Sequence, residues 1–249
     1  VAPKNLATEK GVKVSSEKFA AFVEGRIRGE AKSLGGSYTA SFWFRNDLDN
    51  KARPVTAYLF SRGPNANTRA PGDHLGIGGT STQANGALFL FNGNVAKGFV
   101  GGTTVIAPGT WNHVVLIRSG SRVTTFLNGQ AKPEFDGEIK PTVADSSEFY
   151  LGARNDRFAS LTGRIAQFAL FNRAVTNDEA TQLHAASGQP KGPKTEPKES
   201  ATPTVAKTDP KTQIEKLTSE IAAIKMNTSH YDVPMVSGVA EAALFVNPR

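Results

Sequence analysis

Through residues 15–188, apolar and polar side chains alternate with a period of two. Side chains alternate across an extended chain, so this is the pattern of strands rather than helices. It is sharpest at residues 109–130, GTWNHVVLIRSGSRVTTFLNGQ. There Trp111, His113, Val115 and Ile117 fall on one face, and Asn112, Val114, Leu116 and Arg118 on the other. Ser119-Gly120-Ser121 supplies a turn, and a second strand follows with Val123, Thr125 and Leu127 opposite Arg122, Thr124 and Phe126. Asn128-Gly129 ends it with a strong turn signal. The pattern predicts a hairpin with one face buried and the other partly wetted.

The same reading places strands at 37–46, SYTASFWFRN, at 56–61, 74–80, 87–92 and 148–153, and within 95–105. Residues 18–32 read as two short strands bent at Gly25, with Phe19 and Phe22 as core candidates, and residues 1–14 as polar and open. In the strand predicted at 163–172, regular alternation sets Ile165, Ala169 and Phe171 against Phe168 and Leu170. Glycines at 76, 78 and 79 permit close backbone approach. The first helix is predicted at 176–187, where Thr176-Asn177-Asp178-Glu179 is a capping box and Gly188 closes the element. Many short strands and one late helix imply an all-β, two-sheet antiparallel jelly-roll sandwich over residues 1–188.

Beyond that point the pattern changes. Residues 189–211 hold five prolines among Lys, Glu and Thr and almost nothing to bury, which predicts a semi-extended linker. A separate short amphipathic helix follows. Asp209 is its cap, Pro210 its first residue, and Ile214, Leu217, Ile221 and Ile224 form a narrow apolar seam. That seam and the apolar tail at 240–246 are expected to need a packing surface, so residues 212–249 are read as contacting a neighbouring domain.

Composition changes this picture little. No apolar run is long enough to span a bilayer, and no signal peptide is visible ahead of Val1, as in a processed or truncated chain. With no cysteine, disulfide and thiolate chemistry are excluded. The net charge is +7; residues 1–188 carry 21 Lys/Arg against 15 Asp/Glu. The excess is scattered and not interleaved with aromatics, so a basic surface is expected and nucleic acid is not.

Three segments carry a resemblance. YTASFWF at 38–44, TWNHVVLIRSGSRVTTFLNG at 110–129, and YLGARNDRFASLTGRIAQFALFNRAVTNDEATQLHA at 150–185 are similar to the early strand, middle hairpin and ending of laminin-G-like, concanavalin A-like jelly rolls. In particular, the chain resembles copies embedded in large bacterial secreted or envelope-associated multidomain proteins. The resemblance implies a non-catalytic module for a carbohydrate or protein ligand, in an extracellular, periplasmic or envelope setting. It also implies calcium as the one cofactor to consider, with Asp47, Asp49, Asp73 and Asp156 as candidate donors.

Of the other candidate chemistry, Trp43, two residues from Arg45, can stack on a sugar from the outer sheet face, although burial beneath another layer is the competing expectation. Glu134, Asp136 and Glu138 resemble the catalytic strand of jelly-roll β-glucan hydrolases, where two carboxylates about 5–5.5 Å apart serve as nucleophile and acid. Pro133 and Gly137 argue instead for a solvated connection. Of the four histidines, His113 is expected to pack at the start of a core strand and His184 to lie on the helix surface. No serine-histidine-aspartate arrangement is present.

Overall fold

The computed structural model describes residues 4–190 except 17, 33, 68, 95–96 and 141–145. The linker beyond Pro190, the second amphipathic helix and the apolar tail lie outside the described residues. Strands β1 (Lys4–Thr8), β4 (Ile27–Glu30), β6 (Val55–Arg62), β7 (Asp73–Gly78), β8 (Leu88–Phe91), β9 (Phe99–Gly101) and β13 (Glu148–Leu151) form one sheet, ordered β1-β4-β13-β6-β7-β8-β9. The second sheet takes β2 (Val12–Val14), β3 (Phe19–Val23), β5 (Ser37–Asn46), β10 (Trp111–Ser119), β11 (Arg122–Leu127), β12 (Phe135–Glu138) and β14 (Thr162–Phe171), ordered β12-β11-β10-β5-β14-β3-β2. Neighbouring strands pair antiparallel, and β5 sits at the centre between β10 and β14.

The core between the sheets is aromatic. Phe168 lies 5.5 Å from Phe149, 5.9 Å from Phe42 and 6.0 Å from Phe60, centre to centre. Offset and tilted ring pairs of this kind stabilise beyond the area they bury. At one end the core is polar. Asp73, wholly buried, accepts from the Tyr38 hydroxyl at 2.8 Å and lies 3.5 Å from the Arg118 guanidinium.

The predicted hairpin is β10–β11, in unbroken register from Val114↔Leu127 to Ser119↔Arg122. Its second face is not wetted. Helix α1 (Asn177–Ser187) lies over it, burying Val115, Ile117 and Phe126 against Val175 and Ala180. The capping box is complete: the Glu179 amide donates to Thr176 Oγ1 at 3.2 Å, and the Thr176 amide to Glu179 at 2.8 Å.

Three further expectations are overturned. The N-terminal stretch is not open: β1 and β2 add one edge strand to each sheet, paired to β4 and β3. In β14, Ile165, Phe168 and Leu170 all face the core. A bulge explains it. Pairing jumps from Ala166↔Trp43 to Ala169↔Ser41, and Gln167 takes a φ of 51°, so one extra residue shifts the alternation. Residues 135–138 form an edge strand rather than a loop, because Arg122 and Thr124 on β11 hold Asp136 across the pair.

Among the described residues no helix is long and apolar enough to cross a membrane.

Candidate functional site

Helix α1 covers only part of the second sheet's outer face. The remainder is built by register. Trp43 on β5 stands opposite His113 on β10 and Ala166 on β14, while Arg45 stands opposite Trp111 and Arg164. Phe19 on β3 pairs with Ala166 and meets Trp111 edge-on at 6.4 Å. Between this surface and the last turn of α1 lies a cleft of about 400 Å³, lined by Trp43, Trp111, Asn128 and His184 among others. Both tryptophans of the chain border it.

The two play different parts. Trp43 is buried, its indole Nε1 donating to Ser187 Oγ at 2.9 Å, and its ring 5.2 Å from His113 and 5.4 Å from His184. Trp111 is only half-buried and borders the cleft. His184 is not the surface residue expected. Its ring lies 5.1 Å from His113 and presses on the turn at Gly129, where an added Cβ would come within 2.3 Å of it. Gly129 also has a φ of 68°, so this position needs glycine twice over. Asn128 ties the turn to the hairpin: its Oδ1 accepts from the His113 amide at 2.8 Å and its Nδ2 donates to Asn112 Oδ1 at 2.9 Å.

His113 packs as expected, with Nε2 3.0 Å from Ser41 Oγ. Burial, then the neighbouring His184, push its pKa down to about 3. On the first sheet, buried His74 is also lowered to about 3, by burial and then by Arg154. Unfolding returns each ring to a pKa near 6.5, so the unfolded chain binds more protons between these values. The stability held in the two neutral rings is therefore complete above about pH 6.5 and is lost as pH falls toward 3. Each is expected to cost about 2 kcal/mol between pH 7 and pH 5. Urea unfolding at the two pH values checks this: His74→Gln should remove roughly half of the histidine-dependent loss, and an unchanged loss would contradict it.

The remaining candidates are scattered. Asp47 pairs with Arg45 at 2.6 Å, and Asp49 accepts from the Lys51 amide at 2.7 Å. Asp73 lies inside the sandwich. Asp156 is held by two hydrogen bonds from Arg154, at 2.8 and 2.6 Å; burial works to raise its pKa, but these bonds and the Phe158 amide keep it low. Among the described residues no three His, Asp or Glu side chains gather as a metal site. Glu134 accepts from the Thr103 and Thr104 amides, each at 2.8 Å. Asp136 is gripped by Arg122, which holds its carboxyl below the usual range, and Glu138 sits 3.8 Å from Lys140.

Two packed seven-stranded antiparallel sheets with a helix on one outer face define a concanavalin A-like sandwich. Residues 25–181 match the laminin G family of the concanavalin A-like lectin/glucanases superfamily, and the chain belongs to it. No curated protein matches the sequence significantly. Among solved structures, the chain is similar to domain 4 of AbnA, a GH43 extracellular arabinanase from Geobacillus stearothermophilus, in complex with arabinotriose. The identity is 20%, with 72% of this chain and 81% of that one covered and a TM-score of 0.51. It is also similar to the receptor binding domain of botulinum neurotoxin mosaic serotype C/D, at 12% identity, 74% and 46% coverage, and a TM-score of 0.55. The binding domain of Paraclostridial Mosquitocidal Protein 1 matches at 17% identity, 73% and 47% coverage, and 0.53. The match thus spans about half the length of these toxin domains, and at such identities the likeness carries the fold alone.

Proposed function

We propose that this domain is a non-catalytic carbohydrate-binding module of an extracytoplasmic multidomain protein, and that its sugar lies in the cleft at Trp111. The observation that carries this reading is the half-buried indole of Trp111, flanked by Arg45 and bordering a cleft shared with the buried Trp43 and with His184. A sugar ring stacks its C–H face on such an indole, while a few placed polar groups fix its orientation. The solved neighbour in complex with arabinotriose, a domain of an extracellular enzyme, supports both the ligand class and the setting. The residues of the alternative hydrolase site support catalysis less well. A general acid needs a raised pKa, whereas Asp136 is lowered by Arg122 and Glu134 is committed to two backbone amides.

The test uses the chain's own reporters. Both tryptophans border the cleft, so intrinsic fluorescence titrated with an oligosaccharide panel reads the site directly. Trp111→Ala is expected to weaken binding about tenfold or more, equivalent to about 1.4 kcal/mol. Full affinity in that variant would move the site elsewhere.

A further inference from the structure

The cleft does not end at Trp111. Cross-strand register sets Trp111, Arg45, Arg164, Ala21 and Lys13 side by side on β10, β5, β14, β3 and β2, in one row over the outer face. We infer that this row is a track for a linear acidic polysaccharide, which crosses the strands from Trp111 toward Lys13. This rests on the reading that Trp111 is a sugar platform and names the class of sugar.

The row is costly as a structural device. Arg45 and Arg164 stand directly opposite each other on neighbouring strands, and like charges so placed destabilise a sheet. Only Arg45 has a carboxylate partner, Asp47, which it holds through Nε. Arg164 has none among the described residues. Its guanidinium lies 5.1 Å over the Phe19 ring, the same ring that meets Trp111 edge-on. A guanidinium laid on an aromatic is weakly hydrated and keeps its fork of donors for a carboxylate or sulfate, both of which it can grip with two parallel bonds. Ala21, between Arg164 and the exposed Lys13, leaves that part of the row low.

Spacing favours a chain over a single sugar. Strands lie about 4.8 Å apart, so Arg164 is about 10 Å from Trp111 and Lys13 about 19 Å. The interval from Arg164 to Lys13, two strands or about 10 Å, is about the length of a disaccharide, the unit on which acidic polysaccharides repeat their charge. Single-stranded nucleic acid, which is also anionic, stacks successive bases on successive aromatics. Here one half-exposed aromatic is followed by cations.

The experiment titrates the full chain with oligosaccharides of matched length: neutral, uronate-bearing and sulfated. Fluorescence and calorimetry are the readouts, at two salt concentrations. Acidic oligomers are expected to bind at least tenfold tighter than neutral ones and to weaken as salt rises. The uronate and sulfate arms then identify which anion the track takes. Arg164→Gln should narrow the acidic-to-neutral ratio about tenfold. Lys140→Gln, which removes the same charge beyond β12, beside the end of β10 away from Trp111, should leave it unchanged. Lys13→Gln should weaken only oligomers long enough to reach it. Equal affinity for neutral and acidic oligomers, an unchanged ratio in Arg164→Gln, or tighter binding of single-stranded DNA would overturn the track while leaving Trp111 as a sugar platform. Failure of every oligomer to bind would overturn both readings.

Discussion

Asp73→Ala is expected to destabilise the domain by about 3–5 kcal/mol, the cost of stranding buried charge. Asp73 sits wholly inside the sandwich. Burial raises its pKa, against the pull of Arg118, the Tyr38 hydroxyl and Arg62. Arg62 and Arg118 are just as buried. Both guanidiniums donate to backbone carbonyls, Arg62 to Leu34, Gly35 and Ser146 and Arg118 to Ser121 and Ile139. Those bonds engage N–H groups of both guanidiniums with uncharged acceptors. Removing the carboxylate takes the buried anion away from Arg118 and Arg62 and takes away the partner of the Tyr38 hydroxyl. Asp73→Asn keeps an acceptor and should fall between alanine and wild type. Urea midpoints at constant m-value measure the difference; a cost below about 1 kcal/mol for alanine would mean that the arginines are neutralised by something other than Asp73.

Phe168→Ala is expected to cost a similar amount, about 3–5 kcal/mol, through lost transfer energy and the cavity left behind. Its ring is the hub of the core, within 6.0 Å of Phe42, Phe60 and Phe149, and so touches strands of both sheets. Phe168→Leu refills much of that space and should cost less. If alanine and leucine cost the same, the four-ring cluster does not act as a packed unit.

Phe168 also marks where the sequence misleads. Its place in a strand is legible from the apolar pattern, but its face is not. The extra residue at Gln167 reverses the parity, and no glycine announces the positive φ there. Gln167 instead donates from Nε2 to the Gly188 carbonyl at 3.2 Å, linking the bulge to the end of the helix. The β10–β11 hairpin and the capping box of α1 were legible because each is specified locally, by turn residues and by spacings of a few positions. Strands β1, β2 and β12 were not. They are only three to five residues long, and distant partners impose their pairing, such as Arg122 reaching Asp136.

The candidate site was half legible. Alternation puts Trp43 with Arg45, and Trp111 with His113, on the outward faces of their strands. That these pairs share one surface depends on the β5–β10 register, between segments some seventy residues apart. That His184 closes the cleft depends on the helix returning across the sheet, which no local pattern carries.

The most direct measurement is an indole ¹H–¹⁵N titration with the tightest oligosaccharide of the panel. The chain has only two indole N–H groups, that of Trp111 at the open face and that of Trp43 bonded to Ser187. Saturable movement of the Trp111 signal, with perturbed amides confined to β2, β3, β5, β10, β14 and the end of α1, is expected if the sugar lies in this cleft. Saturated binding with an unmoved Trp111 signal, or with perturbations confined to the other sheet, would contradict it.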